Sequence, residues 1–421
     1  MLRRQFIQLA AAAVAVSLGG APAWAREAPV WTPVQAALDP FVDKGQIPGM
    51  VTLALKDGRV VHARAYGKRD LATGAPMEMD TIVRAFSMTK PVTAAAMMIL
   101  HDEGRWKPED PIARHLPELA DLKVLVGKDA EGRPILEAPK SPPTVGQLMT
   151  HTAGFLYGFE GSDVDELYRG PGNPMRATSS ADLLNRVAAL PLAYEPGTKW
   201  KYSIAMDLQG MIVERLSGQS LADFMEARLF KPLGMTDTGF FVPATKRARF
   251  AELYEWRAGK LQVPSAEGLF SSTYAAPPPV ALGGAGLVTT APDYARFAQM
   301  LLNGGELEGR RVLSRSAVAQ IMTNHLSPEL VAGRHGIGMQ QIRPGYEFGY
   351  NGIVVSDPAL AGSAMGKGSY LWDGAAGTWF WVDPENKVVF VGLVQRLMGP
   401  GFPPLQATSQ KAVRQAISGL P

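Results

Sequence analysis

The chain contains no cysteine. That excludes disulfides, a thiol nucleophile, a cysteine-ligated zinc and a lipid-modified cysteine, and it leaves stability to the core. Six histidines are present (His62, His101, His115, His151, His325 and His335), and none falls at metal-ligand spacing. Phosphate-binding loops and dinucleotide fingerprints are also missing, so neither a metal nor a cofactor is expected. No serine stands in a Gly-x-Ser-x-Gly setting, which removes the nucleophile elbow. An excess of one charge is lacking too. The formal net charge is +3, and two of those charges, Arg3 and Arg4, lie at the extreme N-terminus. The remainder is almost neutral and carries no electrostatic footprint for nucleic acid. Finally, no apolar run reaches the ~20 residues of a membrane span.

What is present begins with an export signal over residues 1–25. Arg3 and Arg4 precede an apolar stretch from Phe6 to Leu18, and Ala23-Trp24-Ala25 offers small residues at the cleavage site. Arg3-Arg4-Gln5-Phe6-Ile7 is similar to a twin-arginine leader. The mature chain is expected to start near Arg26 and to be periplasmic or secreted, without stable membrane insertion.

Hydrophobic residues make up 46% and charged residues 19%, a balance that argues for a globular chain and against disorder. Helical spacing runs over Trp31–Lys44. Strand-like runs at Gly49–Leu55 and Val60–Tyr66 flank an Asp57-Gly58 turn. A helix is expected from Ser87 to about His101, apolar on nearly every side. Amphipathic stretches, Ala181–Ala189, Met206–Leu216 and Leu221–Leu229, fill the middle. A further helix covers Asp293–Leu302. Strands at Thr378–Val382 and Val388–Val394, then a helix at Leu405–Ile417, end the chain. The pattern predicts an α/β (α+β) fold. A mostly antiparallel sheet is built from the two ends of the chain, about 26–100 and 283–421, with a helical insertion over about 101–282.

Ser87-Met88-Thr89-Lys90 lies at a helix start, where residues three apart share a face. The lysine amine then lies beside the serine hydroxyl, and a desolvated neutral lysine can take its proton. Tyr202 follows the turn Pro196-Gly197 and is a candidate proton carrier. Its competing role is half-buried packing. Trp372-Asp373-Gly374-Ala375-Ala376-Gly377 leads into a strand, where small residues let a substrate approach the backbone and a strand N–H can complete an oxyanion hole; on spacing alone an ordinary strand entry with a bulge is the better supported role. His151 is either a triad base or a loop residue capping backbone groups, and the second role is the better supported.

Together these segments resemble the serine β-lactamase and penicillin-binding superfamily, on its class C-like and family VIII carboxylesterase side. Ser-x-x-Lys is joined in order by Leu148-Met149-Thr150-His151-Thr152-Ala153-Gly154, by Pro196-Gly197 through Tyr202-Ser203, by Leu229–Thr238 and by Gly283-Gly284-Ala285-Gly286-Leu287. The resemblance implies that Ser87 is acylated and that Lys90 and Tyr202 carry its proton. It implies an oxyanion hole from the backbone of Ser87 and Ala375. A pocket of Ile204, Trp372, Asp373 and Gly374 is also implied. Ile204 stands where the lactamases place asparagine, and Trp372 where they place the lysine of Lys-Thr-Gly. Both replacements remove polar handles, so an ester is the expected small-molecule substrate. Asp373 fits neither the lactamase nor the esterase pattern. The alternatives are a β-lactamase or D-alanyl peptidase, an acyltransferase or amide hydrolase, and an inactive penicillin-binding-like sensor.

Overall fold

The computed structural model describes residues 30–159, 161–265, 273–337 and 340–419. The expected leader over 1–25 lies outside them. Among the described residues, no helix is long and apolar enough to cross a membrane.

Helix α1 (Thr32–Asp43) buries Val34 and Leu38 and leads into the hairpin β1 (Gly49–Lys56) and β2 (Arg59–Gly67). The hairpin loop has Asp57 at φ 50 and Gly58 at φ 74. Two positive φ values are what a two-residue type I′ turn demands, hence Asp-Gly. Helix α2 (Thr89–Asp102) is buried at every position from Thr89 to Leu100, so it runs through the middle of the molecule. Helix α3 (Ala205–Ser217) packs on it. Helix α4 (Ala291–Leu302) is capped by the Thr290 hydroxyl, which accepts the Asp293 N–H at 3.3 Å. The chain then supplies β3 (Tyr346–Phe348), β4 (Ile353–Val355), β5 (Ser369–Gly374), β6 (Thr378–Asp383) and β7 (Val388–Val394), and ends on helix α5 (Leu405–Ser418).

These strands form one seven-stranded sheet in the order β3-β4-β5-β6-β7-β1-β2, antiparallel at each pairing. β1 lies between β2 and β7, with Met50 opposite Val394 and Lys56 opposite Val388. The two ends of the chain thus close one sheet, as the distribution of strand-like runs predicts. Strands β6 and β7 are buried throughout, so the sheet is covered on both faces. Successive side chains on β6 show by what. Trp379 donates its indole N–H to Ser409 of α5 at 3.1 Å, while Phe380 turns the other way onto Tyr294 of α4, ring centroids 4.9 Å apart.

Two details differ from expectation. The helical stretch also holds two hairpins, Val124–Lys128 with Pro134–Glu137 and Glu255–Arg257 with Lys260–Gln262. Pro134–Glu137 is exposed at every position, so it has no buried face to leave an alternating pattern. The run Trp372 to Gly377 does lead into a strand, β6, but its first three residues, Trp372-Asp373-Gly374, end another, β5, so that only residues 375–377 form the turn.

Candidate active site

The short strand Val83–Arg84 delivers the chain to Phe86, which adopts φ 46. Few non-glycine residues occupy this region, and the conformation turns the backbone sharply just before Ser87. Ser87 stands half-buried in a single 3-10 turn, Phe86–Met88, directly before α2. One turn further on, Lys90 is 1% exposed. Its Nζ lies 3.3 Å from Ser87 Oγ. Tyr202 arrives from a distant part of the chain and donates its hydroxyl to the same Oγ at 2.6 Å. The structure therefore brings together the three residues singled out in the sequence.

Other groups complete the cluster. Lys90 Nζ also donates to the Gly284 carbonyl at 2.7 Å and to the Tyr157 hydroxyl at 3.2 Å. Tyr157 in turn donates to Asp207 Oδ2 at 3.3 Å, and Asp207 Oδ1 accepts the Gly284 N–H at 2.9 Å. Gly284 must be glycine: a Cβ there would lie 2.3 Å from the Tyr157 hydroxyl. Behind Lys90, Asn351 donates to the Lys90 carbonyl at 2.9 Å and to Gln209 Oε1 at 2.7 Å, and it accepts from Gln209 Nε2 at 3.0 Å. Tyr157, Asp207, Gln209 and Asn351 are not legible in the sequence. Asp207 and Gln209 read as ordinary polar positions of an amphipathic helix; a carboxylate shortly after Tyr202 is the only trace they leave.

Burial sets the electrostatics. Desolvation brings the Lys90 amine down to about 7, against the opposing pull of the Asp207 and Asp373 carboxylates. It drives the Tyr202 hydroxyl well above its ordinary range, and Tyr157 likewise. Asp207 is also pushed up by burial, with Lys90 acting against the shift. Near neutral pH the cluster thus holds a lysine that readily loses its proton beside a tyrosine that keeps its own.

His151 sits outside this chemistry. Its φ is 59 and it is fully buried. Nδ1 accepts the Ser203 N–H at 3.2 Å and lies 3.0 Å from Ser203 Oγ. The ring packs 4.9 Å from that of Tyr202. Desolvation holds it well below the usual histidine range, so it stays neutral. Of the two roles considered, backbone capping is the one the geometry bears out.

Ser87 opens into a cavity of about 510 Å³, walled by Tyr157, Phe159, Tyr202, Phe240, Tyr274 and Trp372 among others. Ala375 and Asp373 line it as well. Two expected pocket residues do not. Ile204 precedes α3 with its side chain in the core, 1% exposed. Gly374 is turned against the Ala85 carbonyl and the Thr378 hydroxyl, each 2.3 Å from where its Cβ would be. Trp372 does line the cavity, though its ring is almost wholly buried between Tyr202 and Phe348. A larger cavity of about 990 Å³ lies beyond Phe240 and Pro277–Val280; none of Ser87, Lys90 and Tyr202 borders it, so it is not where the chemistry sits.

Fold and site together define a serine hydrolase of the β-lactamase superfamily. The chain belongs to the Beta-lactamase family, whose model matches residues 34–415. Among curated relatives, Protein Rv1367c of Mycobacterium tuberculosis is 36% identical over 370 residues, 86% of this chain and 89% of that one. Esterase EstB of Burkholderia gladioli is 32% identical over 366 residues, 82% and 86%. Among solved structures, EstCE1, a hydrolase with promiscuous acyltransferase activity, matches with TM-score 0.75 and 25% identity over 92% of this chain and 98% of that one.

Proposed function

We propose that this chain is an exported esterase that cleaves carboxylic esters through an acyl-enzyme on Ser87. The observation that carries the reading is the pairing of a Ser–Lys–Tyr cluster, its lysine buried, with a mainly apolar, aromatic-walled cavity. Neutral Lys90 takes the proton of Ser87 Oγ as that oxygen bonds to the ester carbonyl carbon. The carbonyl oxygen becomes an oxyanion, received by the backbone N–H groups of Ser87 and Ala375. Collapse breaks the bond to the alcohol oxygen. Tyr202 gives that oxygen its proton and is refilled from Lys90. Water then attacks the acyl carbonyl by the reverse relay, releasing the acid and restoring Ser87. The raised tyrosine and lowered lysine support this division of roles, with Lys90 as base and Tyr202 as donor.

Esterase EstB, as a relative, supports the ester class. The promiscuous acyltransferase activity of EstCE1 favours a second outcome for the same intermediate, transfer of the acyl group to an acceptor alcohol in place of water. The test is mass spectrometry after a fluorophosphonate, on the native protein and on Ser87→Ala. A single adduct on Ser87, lost together with turnover of p-nitrophenyl butyrate in the folded variant, is the expected result. An adduct that persists in Ser87→Ala moves the nucleophile elsewhere.

A further inference from the structure

The second oxyanion donor of the proposed mechanism, the Ala375 N–H, belongs to the turn between β5 and β6. Within that turn the Gly374 carbonyl accepts the Gly377 N–H at 2.9 Å. A peptide unit is planar, with its carbonyl and the following N–H on opposite sides. Fixing the Gly374 carbonyl therefore also fixes the direction of the Ala375 N–H. From outside, the Met398 N–H donates to the Ala375 carbonyl at 2.7 Å and the Arg396 N–H to the Ala376 carbonyl at 3.0 Å. The Leu397 N–H, between them, donates to the Tyr254 carbonyl at 2.7 Å. On its inner side the turn meets the approach to Ser87. Ala376 packs with Phe86, and Thr378 donates its hydroxyl to the Ala85 carbonyl at 3.1 Å. The turn is thus clamped between residues 85–86 and residues 396–398.

The Arg396 side chain fixes the outer jaw. It is wholly buried. Nη1 donates to the Gln46 carbonyl at 2.6 Å, and Nη2 donates to the Gly401 carbonyl at 3.1 Å. The guanidinium lies 4.9 Å from the centroid of the Trp256 ring and 5.3 Å from that of Phe402. Phe402 in turn covers Gly377, where a Cβ would lie 2.6 Å from its ring. One planar side chain so ties the loop before β1, the hairpin of Trp256 and the loop before α5 to the segment that braces the turn. Lysine has neither a fork to span two carbonyls nor a plane to lie against two rings. Burying a guanidinium costs hydration, and an apolar residue of similar size would fill the same space without that loss.

We propose that Arg396 is a positioning residue of the reaction. By fixing residues 396–398 and Phe402 it holds the Ala375 N–H where the oxyanion forms, so its loss weakens the transition state and leaves substrate binding alone. This inference rests on the acyl-enzyme reading and adds to it a residue that does not line the cavity.

The test compares Arg396→Lys with the native protein on p-nitrophenyl butyrate, with active sites counted by fluorophosphonate titration to completion. An oxyanion hole serves acylation and deacylation alike, so kcat per titrated site falls by about ten- to a hundredfold while KM stays within about twofold. A trifluoromethyl ketone, which adds to Ser87 as a tetrahedral oxyanion, weakens in the same proportion as kcat/KM. A planar amide analogue of the substrate, which forms no oxyanion, keeps its Ki. A residue that only stabilised the fold would lower the count of titratable sites or the unfolding midpoint, and the two inhibitors would keep their native ratio. Phe402→Leu, at a half-buried position, keeps most of the volume and removes one ring face; it gives the same pattern at about three- to tenfold and decides the matter should Arg396→Lys not fold. Native kcat per site with an unchanged inhibitor ratio in the folded variant overturns the inference and leaves the esterase reading standing. A native protein that neither cleaves the ester nor takes the fluorophosphonate overturns both.

Discussion

Replacing Asp207 by asparagine is expected to move the acid limb of the rate profile to lower pH. In the proposed mechanism Lys90 acts as the neutral amine, and burial holds it at about 7 while the carboxylates of Asp207 and Asp373 pull it upward. Asp207→Asn removes one upward pull. The lysine pKa falls further, its neutral form persists into more acidic solution, and the limb follows it down. Asparagine keeps one oxygen, for the Gly284 N–H, and presents its NH2 as a donor to the Tyr157 oxygen where Oδ2 accepted, so the side chain keeps its shape while that one bond reverses direction. Tyr157 bridges the two charges, 3.2 Å from the amine and 3.3 Å from the carboxylate. At a separation of roughly 6 Å and an effective dielectric of about 20, unit charges interact by about 3 kcal/mol, or about two pH units. A shift of roughly one to two units is expected, with a lower plateau because the amine becomes a weaker base. The assay is kcat/KM for p-nitrophenyl butyrate between about pH 5 and pH 9, with circular dichroism as the control for folding. An unmoved limb, or one displaced to higher pH, refutes the assignment of Lys90 as base under the influence of Asp207.

On one preparation, p-nitrophenyl butyrate should exceed nitrocefin in kcat/KM by at least about a hundredfold. A β-lactam brings a carboxylate and an amide whose lost hydration costs roughly 1–3 kcal/mol each when unpaired. Equal rates would mean that the missing lysine and asparagine do not matter. Asn351→Ala should lower stability by about 2–4 kcal/mol in urea unfolding, since it removes the donor to Gln209 Oε1 and a side-chain bond to the Lys90 carbonyl in the core and puts alanine at a φ of 58. A loss below about 0.5 kcal/mol would show that this network carries no weight. Protein from the native host should begin near Arg26 on N-terminal sequencing and be found outside the cytoplasm; a cytosolic chain beginning at Met1 argues against export.

The cluster of Ser87, Lys90 and Tyr202 was legible because each member leaves a local mark. Ser87 and Lys90 share a helix face, and Tyr202 follows a turn whose glycine, Gly197, has φ 84. The sheet was legible in its long strands, whose apolar runs and Asp-Gly turn announce themselves. Strands β3 and β4 were not, being three residues each and too short for any period to register. Ile204 misled for a different reason. Its position beside Tyr202 placed it near the site, but direction is set by the start of α3, which turns the side chain inward. The bridge from Lys90 through Tyr157 to Asp207 spans residues far apart in the chain, and only packing joins them.

The pairing of β1 with β7 carries a cost in time. Roughly 340 residues separate Met50 from Val394, so the centre of the sheet is among the most non-local contacts the chain makes, and topology of that kind slows folding. During synthesis, at about 5–20 residues per second, the hairpin β1–β2 waits for roughly twenty seconds to a minute before its partner exists. Through that interval β1 offers an open edge of apolar residues, Met50 to Leu55, to any strand that passes. A nascent chain of this protein is therefore most exposed to misassembly at its beginning, and a ribosome that stalls late leaves a product lacking the strand that would cover that edge.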